Sequence, residues 1–236
     1  MKKQLVRTFS AGALVAMALS AQAATVTLNG WAYGEGNRVR AGGPFGEYTG
    51  AAGAIVGTLT GTAGFDAAPF ITFSIELEER SAIHQAATSG YKLVAGAQYF
   101  AQRRGDAGIA ERLGRLMTFA YDNPDLVQNA RGSTALQLAI WNTVYDTDFS
   151  LSTRSSFRDG SAYRALAEVV LAGASAVGSS RFDVMALERV GSQDLLLVVP
   201  NQDAGVPEPG SVALVLAALG GLALSRRRGT SCSVVA

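Results

Sequence analysis

Apolar and polar residues alternate from residue 25 onward, through Thr25-Val26-Thr27-Leu28 and on to Gly30-Trp31-Ala32-Tyr33, which predicts a first strand. Residues 54–60 and 69–79 predict two more. In the second of these, Ile71, Phe73, Ile75 and Leu77 point one way while Phe70, Thr72, Ser74, Glu76 and Glu78 point the other. The stretch 34–53 carries Gly34, Gly36, Gly42, Gly43, Gly46, Gly50 and Gly53, and reads as loops and turns with little packing of its own. Its glycines lack the spacing of a phosphate-binding loop.

The period then lengthens to that of a helix. Over 107–121, Ala110, Leu113, Leu116, Met117 and Ala120 form one stripe with Arg112 and Arg115 away from it, and Asn123-Pro124 ends the run. A second helix is predicted over 133–145, opened by Gly132 and capped by Ser133 or Thr134, and a third over 161–172. Residues 182–190 and 194–200 return to strand character around a Gly191-Ser192 turn. Strands at both ends with helices between them predict an α+β domain whose sheet is closed by the C-terminal strands.

Both ends of the chain have a different texture. Lys2, Lys3 and Arg7 precede an apolar stretch over 11–20 and the small-x-small triplet Ala21-Gln22-Ala23. That is the pattern of a secretory signal peptide, with cleavage expected between Ala23 and Ala24. At the other end Val206-Pro207-Glu208-Pro209 leads into a charge-free apolar run and then Arg226, Arg227 and Arg228. The two prolines bar a helix from running through the junction. As a helix, the 14 residues 211–224 extend over roughly 21 Å, against a bilayer core of roughly 30 Å. On length alone the run is a short anchor, and the arginines behind it follow the positive-inside bias.

Together, the Pro-Glu-Pro triplet, the short Leu/Ala/Gly run and the arginine cluster resemble the PEP-CTERM sorting signal of Gram-negative bacteria. The resemblance implies a protein held in the inner membrane until an exosortase processes it near Val206, Pro207, Glu208 and Pro209. One departure is the tail beyond the arginines, 229–236. The expected organisation is a signal peptide over 1–23, an exported domain over 24–201, a linker over 202–210, a transmembrane helix over 211–225 and a basic cytoplasmic tail over 226–236.

Charge and cysteine content agree with that plan. Of the 20 Lys and Arg, three precede Ala24 and three follow Ser225, leaving 14 against 19 acidic residues over 24–225, a formal charge of −5, of which Asp203 and Glu208 in the linker contribute two. A mildly acidic domain argues against nucleic acid as a partner. The one cysteine, Cys232, lies beyond the arginines, so no intramolecular disulfide forms. At this size the core carries stability alone.

Candidate chemistry centres on two short segments. Gln137 falls on the apolar arc of its helix with Leu136, Ile140, Trp141 and Val144, and a buried amide without partners costs about 1–3 kcal/mol. Phe70-Ile71-Thr72-Phe73-Ser74-Ile75-Glu76 followed by Leu136-Gln137-Leu138-Ala139-Ile140-Trp141 resembles the paired motifs of bacterial thioester domains. The resemblance implies a β-sandwich or barrel-like sheet with an inserted helical part. It also implies an internal thioester between a strand cysteine and the helix glutamine, which acylates a surface nucleophile. Here the cysteine position is Ser74, and no thioester forms. Ser74 and Gln137 then read as a degenerate pair kept as a buried hydrogen bond; the alternative is a serine-to-glutamine ester assisted by Glu76, since serine needs activation.

Other chemistries find little support. His84 is the sole histidine and its surroundings lack a nucleophile-elbow spacing. Metal sites built from His or Cys are excluded by count. Asp146-Thr147-Asp148 begins like a calcium loop, but its sixth position is Leu151 and its twelfth Phe157. The expectation is an exported, non-enzymatic envelope or matrix protein without cofactors, structural or adhesive in an exopolysaccharide or biofilm setting. Its partners would be signal peptidase, exosortase, the inner membrane in passing, and exopolysaccharide or cell-surface matrix. A covalent adhesin using Gln137 and an exported hydrolase are the alternatives.

Overall fold

A computed structural model of the chain describes residues 23–43, 46–62, 69–79, 83, 86–146, 158–159 and 162–201. The signal stretch before Ala23, His84, most of the calcium-like loop, the Pro-Glu-Pro linker, the apolar run, the arginines and Cys232 lie outside the described residues. Within them the fold is α+β. In chain order the elements are β1 (Ala24–Trp31), β2 (Asn37–Gly43), β3 (Gly46–Ala52), β4 (Ile55–Thr60), β5 (Phe70–Thr72) and β6 (Thr88–Ala95). Helices α1 (Gly96–Arg104), α2 (Gly108–Asp122), α3 (Pro124–Val127) and α4 (Ala130–Tyr145) follow, then β7 (Arg158–Asp159), α5 (Arg164–Ser175), β8 (Phe182–Glu188) and β9 (Leu195–Pro200). No helix of the described residues is long and apolar enough to cross a membrane.

Six strands form one antiparallel sheet in the order β5-β4-β1-β6-β8-β9, and β3-β2-β7 form a second. One apolar cluster joins Val26 and Leu28 of β1, Ile55 and Leu59 of β4, Tyr91 of β6 and Leu187, Leu195 and Leu197 of β8 and β9. Its members alternate along their strands, as period-2 side-chain placement requires. A larger cluster lies where the sheet meets the helices, around Leu113 and Leu116 of α2, Ile140 and Trp141 of α4, and Val170 and Leu171 of α5. Helix α4 runs through its middle, touching α2 and α5 as well as β2 and β3. Every residue from Gly132 to Tyr145 is buried. A helix buried on all sides has no polar stripe, which is why its sequence shows a weak amphipathic signal.

Several sequence expectations need correction. The glycine-rich stretch 34–53 is not loose: it forms the β2–β3 hairpin, with Val39, Ala41 and Ala52 buried. Glycine is tolerated there because the hairpin is pinned from outside. Asn37 donates to the Ala130 carbonyl at 2.9 Å and the Thr134 hydroxyl at 3.0 Å, and Thr134 donates to the Ala52 carbonyl at 2.8 Å. Gly50 leaves room for the Tyr48 ring, which an added Cβ would strike, and that ring stands edge-on to Trp141 at 5.1 Å. Helix α4 begins earlier than residue 133 and is capped by Asn129, whose side chain accepts from Gly132 N–H at 2.8 Å.

The strand expected over 69–79 ends at Thr72. Beyond it the chain leaves β4 and crosses to β9. Ile71 is exposed while Thr72, Phe73, Ser74 and Ile75 are all buried, so the simple two-faced alternation fails. Strand β6 and helix α1 carry no clear sequence signal. Although β6 sits between β1 and β8, only Tyr91 among its side chains is buried, so backbone pairing rather than apolar periodicity defines it.

Candidate functional site

The crossing from β4 to β9 is built from three residues, Phe73, Ser74 and Ile75. Leu196 N–H donates to the Phe73 carbonyl at 2.8 Å and Ile75 N–H donates to the Asp194 carbonyl at 3.1 Å. Thr72 adds its hydroxyl to the Leu196 carbonyl at 2.8 Å. These bonds join the two edge strands of the six-stranded sheet. In extended backbone, successive residues aim their N–H and C=O groups at opposite sides, so those of Ser74 face away from β9. Among the described residues no strand lies there.

Gln137 takes the strand's place. Ser74 N–H donates to Gln137 Oε1 at 3.0 Å, and Gln137 Nε2 donates to the Ser74 carbonyl at 2.8 Å. One side-chain amide thus supplies the donor and acceptor that a neighbouring strand would have given. Both residues are buried, Gln137 at 1% exposure, and an orphaned backbone pair at that depth is costly. Position 137 is fixed by packing: Leu136, Leu138 and Ile140 on the same helix are all within the core.

The Ser74 hydroxyl does something else. It donates to the Glu76 carbonyl at 2.6 Å and accepts from Glu76 N–H at 3.3 Å, a local turn that bends the chain just after the crossing. Its contact with Gln137 runs through the main chain. The Glu76 carboxylate, for its part, accepts from Asp194 N–H at 2.7 Å. Thus the structure brings Ser74, Gln137 and Glu76 together, with the hydroxyl and the carboxylate each engaged by main-chain groups.

Beyond the clasp lies a cluster that sequence reasoning did not assemble. Asp194, the residue just before β9, accepts from the Tyr99 hydroxyl at 2.6 Å and from Arg189 N–H at 2.8 Å. Burial raises the Glu76 carboxyl to about 7, helped by repulsion from Asp194, Glu79 and Glu78 and opposed by its bond from Asp194 N–H. Asp194 is also raised, by burial foremost, with Tyr99 and Arg189 holding it down. Tyr99 rises for the same cause, reinforced by the hydrogen bond it gives to Asp194.

Two residues further on, Glu78 joins Arg104 and Tyr145. Tyr145 donates to Glu78 at 2.6 Å and accepts from Leu77 N–H at 2.9 Å, while Arg104 reaches Glu78 at 3.0 Å and stacks over the Tyr145 ring at 4.4 Å. Burial pushes Glu78 up, but its bonds to Tyr145 and Arg104 outweigh that and leave it below its ordinary value. The sequence hints of these clusters were Glu76 and Glu78, alternating with apolar residues after Ser74, and an isolated acid, Asp194, heading the apolar run Leu195-Leu196-Leu197.

An apolar groove of about 180 Å³ opens beside the clasp, with Phe73 and Leu136, the immediate neighbours of Ser74 and Gln137, in its wall. Of the other predicted positions, Ala24 begins β1 fully buried and Ala23 precedes it exposed. Val206, Pro207, Glu208, Pro209, Arg226, Arg227 and Arg228 are outside the described residues. Among the described residues no group of three or more His, Cys, Asp or Glu is placed to hold a metal ion. No family model, curated protein or solved structure matches the chain.

Proposed function

We propose that the chain is an exported, non-enzymatic protein of the bacterial envelope or extracellular matrix, delivered by a signal peptide at one end and a PEP-CTERM type sorting segment at the other. The observation that carries this reading is the ordered C-terminal set of Pro207-Glu208-Pro209, an uncharged apolar run and Arg226 to Arg228. The basic, apolar and small-residue start of the chain supports it independently. The role is structural or adhesive, with exopolysaccharide or cell-surface matrix as partner and passage through the inner membrane on the way.

For the domain itself we propose a barrel-like sheet with an inserted helical part, of thioester-domain type. The bonds joining β5 to β9 and the helices lying between β6 and β8 support it. Ser74 and Gln137 then act as a structural clasp. In support, the amide oxygen and nitrogen each bond a main-chain group of Ser74, and the hydroxyl is turned to Glu76.

The test is fractionation of cells with and without the exosortase, with both mature termini read by mass spectrometry. The expected N-terminus is Ala24 in both strains, and the expected C-terminus falls near Pro207 to Pro209 only where the exosortase is present. Identical C-termini in the two strains would overturn the sorting reading.

A further inference from the structure

Of the outer strands of the two sheets, β5 and β9 are joined to each other through the crossing, and β7 is two residues long. Strand β3 differs. Among the described residues its seven residues pair with β2 on one side and with no strand on the other. Gly43 stands opposite Gly46 at the closed end of the hairpin, and the register runs without a shift to Asn37 and Ala52. An antiparallel ladder bonds every second residue inward, so Gly46, Tyr48, Gly50 and Ala52 spend their main-chain groups on β2. Those of Glu47, Thr49 and Ala51 turn outward.

The Tyr48 hydroxyl reaches round to one of these groups, the Ala51 carbonyl, at 2.6 Å. Among the described residues the others meet no protein partner. Proline, lysine and bulges are devices that discourage pairing at an open edge, and residues 46–52 contain none of them. The one charge along the edge, Glu47, is held by Arg40 at 2.8 Å. The edge is a template for another strand.

It is also one wall of a groove. Glu47 to Ala51 face Leu77 to Glu79 across about 480 Å³, and a hollow of about 170 Å³ continues from there toward Tyr145. Strand spacings of about 4.8 and 10 Å with a rise of about 3.3 Å give an extended residue roughly 160 Å³. At that size the groove takes about three residues of extended chain beside the outward-facing positions. Its lining sets the charge of the occupant: Glu47, Glu78 and Glu79 contribute, and no Lys or Arg does. Arg40 and Arg104 hold the first two from outside the lining, while among the described residues no cation pairs Glu79. A second copy would bring its own three acids to the same seam, and like charge opposes that pairing.

We infer that β3 receives an extended basic segment of another protein as an added strand, with main-chain bonds to Glu47, Thr49 and Ala51 and Lys or Arg side chains meeting the carboxylates of the groove. The main chain supplies affinity and the acids supply selection. This surface is separate from the clasp of Ser74 and Gln137 and from the tail of the chain.

A short capped peptide of alternating Lys and Val, titrated into the full-length chain, tests it by fluorescence anisotropy and amide hydrogen exchange. In the free protein the N–H groups of Glu47, Thr49 and Ala51 are expected to exchange faster than those of Tyr48 and Gly50, and bound peptide should slow them several-fold. Three changes are expected to weaken binding several-fold: N-methylation of every peptide bond of the probe, Glu in place of each Lys in the probe, and Thr49→Pro in the chain. The proline deletes an outward N–H and leaves the β2 ladder whole, so thermal unfolding should match the parent. The two altered probes leave the protein untouched and decide the matter if that variant fails to fold. The proposal would be overturned by a lack of saturable binding or by binding that survives N-methylation or the exchange of Lys for Glu. Protection of the outward amides in the free chain that fades on dilution, the mark of a second copy on the edge, would also overturn it.

Discussion

Two consecutive stretches of one short segment are fastened by opposite chemistries. Over Phe73 to Ile75 the fastening is neutral, with backbone bonds to β9 on one side and the Gln137 amide on the other. Over Glu76 to Glu79 it is ionisable, with Glu76 bound at Asp194, Glu78 held by Tyr145 and Arg104, and Glu79 accepting from Gly191 N–H. Burial decides which chemistry each can use. Where the chain is sealed between sheet and helix, a charge would cost several kcal/mol, so a neutral amide serves. Where it emerges, carboxylates are tolerated and bring a dependence on pH that the neutral clasp lacks.

The contrast breaks most readily at Gln137. Gln137→Leu keeps the volume near native but orphans the Ser74 N–H and carbonyl together, and is expected to cost about 3 kcal/mol in chemical denaturation. A loss well under 1 kcal/mol would mean that the two groups find other partners. Next comes Tyr145→Phe, which removes a donor from Glu78 and an acceptor from Leu77 N–H, for a loss of about 1–2 kcal/mol. Its effect should shrink in acid, because the depressed Glu78 carboxyl contributes stability present above its unfolded value and lost as pH falls.

Glu76 sharpens the comparison through the opposite sign. Its folded value of about 7 stands above the ordinary 4.5, so the folded state keeps a proton the unfolded state has given up. The associated stability is complete below about 4.5, declines between the two values, and is gone above about 7. Glu76→Gln retains an acceptor for Asp194 N–H without the charge. Melting temperatures across that window should flatten in this variant, and an unchanged slope would contradict the assignment.

Ser74→Ala is expected to have the smallest effect, about 1 kcal/mol, since it removes only the two local bonds between the hydroxyl and the Glu76 main chain. The related Ser74→Cys asks a different question. If the clasp has the geometry of a thioester domain, intact-mass measurement should show loss of one ammonia from the folded protein, and an unshifted mass would reduce the resemblance to one of wording.

Much of the architecture was legible in the chain. Helix α2 shows a clean stripe because one face meets the core and the other meets water, and Asn123-Pro124 stops it near where the sequence predicts. Strands β1, β4, β8 and β9 were readable from their apolar content. The β2–β3 hairpin was not, because its order comes from Asn37 and Thr134 bonding across 97 residues rather than from its own side chains. Strand β6 was hidden for a similar reason: its place between β1 and β8 is secured by backbone groups, which every residue possesses.

By itself the sequence determined an α+β domain flanked by two apolar runs with basic clusters beside them, and it drew Ser74 and Gln137 together as a pair. It did so because period, charge and proline placement are local properties, and because both positions sit in apolar runs that must be buried. Only the tertiary structure decided how that pair touches. The strand expected through residue 79 stops at Thr72, the chain changes partners, and the backbone of Ser74 is left facing a helix. Gln137 answers that backbone instead of the hydroxyl because unsatisfied main-chain groups at full burial outweigh any side-chain bond that Ser74 can make within its own turn.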